Sequence, residues 1–151
     1  MLSFILPLTV LVIIPLLMEN RMVIRTGWNL FPAGFFAGAG IVLFIFTLSL
    51  FIWVGQGTLA PWSPTSNLVV SGPYRYMRNP MISGVLFMLL AESLAFWSIW
   101  IFAWTLLFFL LNQLYFVFSE EPGLEKRFGK AYLEYKRNVP RWIPWKKAYV
   151  S

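Results

Sequence analysis

The sequence predicts an all-α integral membrane protein with about four transmembrane helices, the last two forming a helical hairpin, and a C-terminal amphipathic cytoplasmic helix. Of its 151 residues, 59% are hydrophobic and only 12% are charged. A soluble domain of this length could not hide so much apolar surface, because large exposed apolar patches are rare on soluble proteins. The apolar residues also fall into long runs. We therefore expect one membrane domain over residues 1–151.

The first apolar run covers about residues 2–18 and predicts the first span, which Pro7 and Pro15 interrupt. A cleaved signal peptide is a weaker interpretation, because the run lacks a positively charged n-region and a small-residue cleavage site.

The second apolar run predicts a span over about residues 30–54. Gly34, Gly38 and Gly40 lie near its start, and small residues at such spacing allow two helices to approach closely. We expect these glycines to serve helix packing rather than ligand binding.

Residues 80–118 are almost continuously apolar. One helix needs only about 20 residues to cross the hydrocarbon core, so this run predicts two spans. Their expected bounds are about 80–97 and 98–118, with a turn near residues 96–98. Pro80 suits the first turn of the third span, and Asn79 stands where an N-cap belongs.

The polar loop 55–80 connects the second and third spans, and the basic tail 119–151 follows the fourth. Residues 120–137 of the tail predict an amphipathic helix at the membrane surface, which the segment 139–145 then ends. The apolar positions that recur at helical spacing are Leu124, Phe128, Tyr132 and Tyr135.

Cations are distributed unevenly across the predicted membrane. Four spans would place both termini, the loop and the tail on one side, and that side carries ten of the 12 lysines and arginines. By the positive-inside rule, it is the cytoplasmic side of a prokaryotic-type inner (plasma) membrane or an endomembrane. The net charge of +6 favours an anionic leaflet over nucleic acid as the partner.

The chain has no cysteine and no histidine. Thiolate metal sites and histidine bases are therefore excluded, and no metal site is predicted. Any chemistry must use carboxylates, tyrosines, arginines, lysines, amides or a cofactor.

Charged residues flank the predicted hairpin, with Arg75 and Arg78 before it and Glu120 and Glu121 after it. Charge at the edge of a membrane is often functional. The alternatives are a solvated helix start for the acids and ordinary positive-inside residues for the arginines.

Glu92 is the lone acid within a predicted span. An intramembrane acid is a functional hypothesis. The alternative is a neutral carboxylic acid that bonds across the hairpin, with Asn112 or Gln113 as its partner.

The segment Gly72–Met81, Glu120-Glu121 and the segment 139–144 together resemble the isoprenylcysteine carboxyl methyltransferase and phospholipid (phosphatidylethanolamine) methyltransferase superfamily. The resemblance covers about residues 55–145. It implies an integral membrane enzyme that uses S-adenosyl-L-methionine and a cytoplasmic pocket, with a cofactor-binding loop over 55–80. The acceptor would be a lipidic or amphiphilic molecule, methylated either on the carboxylate of an isoprenylcysteine-like compound or on the amine of a phospholipid.

The motifs are more similar to the phosphatidylethanolamine branch. Carboxyl methyltransferases usually have histidine where this chain has Asn79. The other branch has Asn-Pro-Met, Gly-X-Gly and Glu-Glu-Pro, which correspond here to residues 79–81, 55–57 and 120–122.

The resemblance also implies roles for individual residues. The catalytic residues would be Arg78, Glu121 and Arg137. The cofactor-binding residues would be Gly72, Tyr74, Arg78, Asn79, Pro80, Glu120, Glu121, Tyr132 and Tyr135.

Methyl transfer from a sulfonium is a displacement that needs no protein nucleophile and no metal. Orientation of the two reactants can lower the barrier by about 7–11 kcal/mol. A carboxylate acceptor would need an arginine clamp, with Arg78, Arg137 and Arg141 as candidates. An amine acceptor must lose a proton, which a glutamate or tyrosine could take.

Two other functions fit parts of the sequence. One is an NADPH-dependent membrane reductase similar to the sterol reductases, whose C-terminal part resembles this hairpin and tail. The other is a non-enzymatic four-span transporter that uses Glu92 as its cation or proton site.

Overall fold

The computed structural model describes residues 5–19, 22–54, 67–144 and 146–150. Within these ranges all regular structure is helical, as predicted, and no strand is present. The Gly-X-Gly motif at 55–57 lies outside the described residues.

The first helix, α1, covers residues 5–18. It contains a π-helical turn over Thr9–Ile13 and continues as an α-helix over Ile14–Met18. The wider turn comes directly before Pro15, which has no N–H to donate to the preceding turn. Proline therefore distorts this helix without ending it.

Helices α2 and α3 form the largest contact between helices. Helix α2 covers Leu30–Trp53, and α3 covers Pro80–Phe96. Asn29, at the start of α2, donates a 2.8 Å hydrogen bond to the carbonyl of Leu94 near the end of α3. The two helices are therefore antiparallel.

The predicted hairpin turns at Trp97, which has a left-handed backbone with φ 54°. Ser98 then caps the next helix by accepting a 3.3 Å hydrogen bond from the N–H of Ile101. The hydroxyl of Ser98 also donates to the carboxylate of Glu19, which ties the end of α1 to the hairpin turn.

Helix α4 is longer than expected. It begins as Ile99–Tyr115, passes through a π-helical turn at Phe116–Glu120 and continues through Glu121–Phe128. The helix runs past residue 118, where the fourth span was expected to end, because the change from apolar to polar residues marks a change of surroundings and not the end of the backbone helix. The bounds of the span itself stay a prediction. The π turn precedes Pro122, so the helix again absorbs a proline by widening one turn.

A separate amphipathic helix over 120–137 is not formed. Gly129 adopts φ 54°, which favours glycine, and breaks the segment. Helix α5, Lys130–Asn138, follows this break. The tail thus consists of the last turns of α4 and a short, reoriented α5.

Only one of the three glycines predicted to pack does so. A Cβ on Gly40 would lie 2.7 Å from the carbonyl oxygen of Gly84, and a Cβ on Gly84 would lie 2.9 Å from that of Gly40. The backbones of α2 and α3 therefore touch at this crossing. Gly34 and Gly38 have no heavy atom within 4 Å of an added Cβ.

Gly84→Ala should lower the free energy of unfolding by about 1–3 kcal/mol, because the new methyl group would meet backbone that cannot move aside. Thermal unfolding of the detergent-solubilised protein measures the effect.

Gly34→Ala is the matched control, since its methyl group would enter open space, and its unfolding temperature should not fall. Equal unfolding temperatures of Gly84→Ala and Gly34→Ala would contradict the close contact between the backbones of α2 and α3.

In the part of the chain that the structure describes, two helical segments, Leu30–Leu50 and Ile99–Phe128, are long and apolar enough to cross a membrane. Only 17% of each apolar window is buried, so neither is the core helix of a soluble protein. Phe31 and Trp53 are each 82% exposed at opposite ends of α2. These features indicate an integral membrane location, and α1 and α3 are shorter apolar helices. The count of four spans and the cytoplasmic orientation remain predictions.

The C-terminal segment folds back onto the start of α3. The N–H of Arg78 donates to the carbonyl of Pro140 at 2.9 Å, and the N–H of Asn79 donates to the carbonyl of Arg141 at 3.2 Å. Farther along, the N–H of Tyr149 donates to the carbonyl of Arg75 at 2.9 Å. These bonds bring the tail against the loop motif.

Candidate functional site

The two sequence motifs meet at one end of the helical bundle. A 3₁₀ turn, Gly72–Arg75, leads into α3 from one side, and Glu121 projects from α4 on the other. Nη1 of Arg78 lies 2.8 Å from Oε1 of Glu121. Residues 43 positions apart are thus joined by an ion pair.

Glu121 is the centre of a network of charges. Its side chain is only 7% exposed, and it pairs with three cations. Besides Arg78, they are Arg141, whose Nε lies 2.7 Å from Oε1, and Lys136, whose Nζ lies 3.1 Å from Oε2. Three favourable partners offset the cost of burying this carboxylate.

Arg78 has further donor capacity at the site. Its Nη1 also lies 3.4 Å from the hydroxyl oxygen of Tyr132. Its Nε is buried and has no hydrogen-bond partner among the described residues. Buried donors in proteins are normally satisfied, so this nitrogen is available to a ligand.

Glu120 differs from its neighbour. It forms no ion pair and no side-chain hydrogen bond with any residue in the described parts of the chain. It nevertheless lines the same cavity as Glu121. A carboxylate in this position can bind a cation or accept a proton.

The cavity between the motifs has a volume of about 70 Å³. It has a polar side made by the charged residues and an apolar side made by α4 and the segment that precedes the 3₁₀ turn. Its lining residues are Leu68, Val69, Tyr74, Arg78, Asn79, Phe116, Glu120, Glu121, Leu124, Tyr132 and Tyr135.

Three tyrosines surround the polar side. Burial is the main cause that raises the pKa of Tyr74, Tyr132 and Tyr135 above the ordinary value. The nearby charge of Glu120 raises the pKa of Tyr74 further, and Glu121 does so for Tyr132. These phenols are therefore protonated near neutral pH and do not act as bases.

The hydroxyl of Tyr135 donates a 2.6 Å hydrogen bond to the carbonyl of Tyr74. Tyr135, Tyr132 and Val139 form a buried apolar cluster at this end of the bundle. The bond links α5 to the 3₁₀ turn and so holds one wall of the cavity.

Tyr135→Phe should lower the free energy of unfolding by about 1–3 kcal/mol, because it leaves the carbonyl of Tyr74 without its partner. Chemical or thermal unfolding of the solubilised protein measures the change.

Tyr149→Phe is the control, since its backbone rather than its hydroxyl makes the recorded hydrogen bonds. Unchanged stability of Tyr135→Phe would contradict the role of this bond.

Seven of the residues singled out from the sequence come together around the cavity. They are Tyr74, Arg78, Asn79, Glu120, Glu121, Tyr132 and Tyr135.

Gly72, Pro80 and Arg137 do not line the cavity. Gly72 has φ 55°, and a Cβ there would lie 2.8 Å from Cδ1 of Leu50, so its place is explained by packing. Pro80 is buried in the first turn of α3, as predicted. Arg137 is exposed on α5.

Asn79 is the N-cap residue of α3, as predicted, but its side chain makes no capping hydrogen bond. Its carbonyl instead accepts hydrogen bonds from the N–H and the hydroxyl of Ser83, at 3.1 and 3.0 Å. Its side chain is therefore left to the cavity.

Lys136 was missed in the sequence, and Arg141 appeared there only as a candidate clamp. Their distance from Glu121 in the sequence does not predict either contact, because both residues reach Glu121 only when the C-terminal tail folds back.

The expected bond of Glu92 across the hairpin is not formed with either predicted partner. Asn112 donates to the carbonyl of Phe108, and Gln113 accepts a 2.7 Å bond from the indole of Trp142. Oε2 of Glu92 is buried without a partner in the described structure.

Comparison with protein families identifies the relatives of this chain. The family described as phospholipid methyltransferase matches residues 33–131, which are 99 of the 151 residues. The match runs from the first turn of α2 to the start of α5 and includes the loop motif and Glu120-Glu121. No curated protein and no solved structure gave a significant match.

Proposed function

Since the chain belongs to the phospholipid methyltransferase family, we propose that it is a membrane methyltransferase that uses S-adenosyl-L-methionine to methylate a lipidic acceptor at the cytoplasmic face. The observation that carries this proposal is the meeting of the two motifs around one cavity. Arg78 and Glu121 close its polar side, and the unpaired Glu120 lies beside them.

The residues present suit this cofactor chemically. Its cationic parts suit the carboxylate of Glu120, and its hydroxyl and carboxylate groups suit the unpartnered Nε of Arg78 and the hydroxyl of Tyr132. Its adenine suits the apolar wall that includes Phe116 and Leu124. When bound, the cofactor supplies an electrophilic methyl group on a positively charged sulfur.

A volume of about 70 Å³ is too small for a nucleoside, because small-molecule pockets usually measure roughly 300–1,000 Å³. We therefore expect side chains around the cavity to move when the cofactor binds. We expect Glu120 to be among them, since it forms no ion pair or side-chain hydrogen bond in the described parts of the chain.

The charge network has a structural consequence for the reaction. Oε1 of Glu121 pairs with both Arg78 and Arg141, and so fixes the start of α3 against the tail. A rigid wall of this kind aligns two reactants and excludes water. We assign Glu121 to this positioning role.

The same network bears on the acceptor. A carboxylate acceptor needs a free arginine clamp, but Arg78 and Arg141 both bind Glu121, and Arg137 is exposed away from the cavity lining. An amine acceptor needs a proton acceptor, and Glu120 is available. The amine of a phospholipid is therefore favoured over the carboxylate of an isoprenylcysteine-like compound.

The family match also favours methyl transfer over the two other functions considered from the sequence. A reductase would need a nicotinamide cofactor, and a transporter would leave the cavity between the motifs unexplained. The buried, unpartnered oxygen of Glu92 is the only observation among the described residues that favours transport.

The test is a methylation assay on the full-length, detergent-solubilised protein with methyl-labelled S-adenosylmethionine. One arm supplies phosphatidylethanolamine and the other a farnesylated cysteine. We expect label to enter the phospholipid. Label in the farnesylated cysteine alone would overturn the choice of acceptor, and label in neither, with no cofactor binding, would overturn the function.

A further inference from the structure

A second cavity lies on another side of the 3₁₀ turn and has no part in the proposed reaction. This groove has a volume of about 480 Å³, within the range of pockets that bind small molecules. It runs between α2 and the segment that enters α3. Its walls are apolar, with Phe46, Tyr76, Met77 and Pro144 among them.

The groove contains one charged side chain, Arg75. No carboxylate of the described residues forms an ion pair with Arg75. Its Nε donates a 2.8 Å hydrogen bond to the carbonyl of Tyr149, and its own carbonyl accepts the N–H of Tyr149 at 2.9 Å. The bond from Nε orients the guanidinium, the backbone bond holds residue 149 beside it, and the terminal nitrogens have no partner among the described residues.

The groove also lies near the C-terminal end of α2, and some of its wall residues are exposed there. Phe46 belongs to the candidate membrane span Leu30–Leu50 and is 51% exposed, and Tyr76 is 41% exposed. Gly72 keeps the turn against α2, because a Cβ there would lie 2.9 Å from Cε1 of Phe46. The groove therefore opens beside the edge of the bilayer.

We propose that this groove binds a membrane phospholipid, with its phosphodiester on Arg75 and its glycerol and upper acyl carbons against the apolar walls. An arginine matches the geometry of a phosphate with two donors, and a fixed guanidinium loses little entropy on binding. Apolar walls beside one cation suit an amphipathic anion. The inference concerns lipid binding and stands apart from methyl transfer.

The test is native mass spectrometry of the full-length, detergent-solubilised protein titrated with dioleoylphosphatidylglycerol. We expect saturable binding that falls about tenfold or more in Arg75→Gln, the loss expected when a charge-assisted hydrogen bond is removed. Lys130→Gln, which removes an exposed cation from the start of α5, should bind the lipid as the parent does. Dioleoylglycerol, which lacks the phosphate, should bind weakly.

Arg75→Gln also removes a contact with the C-terminal segment, so Tyr76→Ala serves as a second variant that trims only an exposed apolar wall. It should weaken lipid binding with no change in unfolding temperature. Equal lipid affinity in the parent and both variants would overturn the proposal. Displacement of the lipid by millimolar inorganic phosphate would also overturn it, because the groove would then be a site for free anions.

Binding of S-adenosylmethionine is measured on the same samples. Lipid binding that depends on Arg75, in a protein without cofactor binding, would refute the proposed function and leave this inference standing. Cofactor binding in a protein whose lipid affinity does not depend on Arg75 would refute this inference and leave the proposed function standing.

Discussion

Glu121→Gln should both destabilise the protein and abolish methyl transfer. One buried carboxylate pairs with Arg78, Lys136 and Arg141. Its loss leaves the two arginines without an ion-pair partner among the described residues, while Lys136 keeps only its exposed pair with Glu125. Breaking a buried charge network by removing one partner typically costs about 3–5 kcal/mol. We expect the lower end, because Lys136 is 35% exposed and can turn to solvent. Thermal unfolding and the methylation assay measure the two effects.

Glu125→Gln is the matched control. Glu125 pairs only with Lys136, at 2.6 Å, and both side chains are 35% exposed. Such a surface pair contributes below about 1 kcal/mol, so the control should unfold near the parent temperature and keep its activity. A Glu121→Gln variant as stable as Glu125→Gln would show that the network does not hold the site together.

Glu120→Gln, unlike Glu121→Gln, should keep the stability of the parent protein and bind the cofactor more weakly. Glu120 has no ion pair or side-chain hydrogen bond in the described structure, so the neutral amide removes no internal contact. We expect the affinity for S-adenosylmethionine to fall about tenfold to a hundredfold, the range for one charge-assisted contact. Equilibrium binding and thermal unfolding are measured on the same preparation.

Glu134→Gln controls for the loss of one negative charge, because Glu134 is exposed on α5 and does not line the cavity. It should leave the affinity for S-adenosylmethionine and the unfolding temperature unchanged. If Glu120→Gln binds the cofactor as tightly as Glu134→Gln does, Glu120 is not a cofactor ligand.

Local sequence signals predicted the start of α3 and the position of the hairpin turn. Pro80 begins α3 because its missing N–H costs nothing in a first turn, and the hairpin turns at Trp97 and Ser98 because 39 apolar residues are too long for one span. The end of α4 was predicted less well. Polarity changes at Ser119, but the backbone helix continues to Phe128, and only the left-handed Gly129 stops it.

The core of the site was predictable because its two motifs flank one hairpin. An antiparallel pair of helices brings its outer ends to the same level, which places Arg78 near Glu121. The partners from the tail were not predictable in this way. Arg141 reaches Glu121 because backbone hydrogen bonds from Arg78 and Asn79 hold residues 140 and 141 against α3, and no periodicity in the sequence reports such bonds.

Gly72 shows what a family resemblance does not reveal about an individual residue. The resemblance to methyltransferases marked the whole Gly-Pro-Tyr-Arg segment, but it does not separate residues that touch a ligand from residues that shape the backbone. The positive φ of Gly72 and its closeness to Phe46 and Leu50 account for a glycine at this position. Tyr74, two residues later, lines the cavity.

The most direct test of the central claim is calorimetric titration of the full-length, solubilised protein with S-adenosylmethionine, its demethylated product and NADPH. We predict saturable binding of the first two ligands and none of NADPH, with binding weakened in Glu120→Gln and in the Glu120→Gln/Glu121→Gln double variant. Binding of NADPH alone would indicate a reductase. Absence of binding by all three ligands to the folded parent protein would contradict a cofactor site between the two motifs.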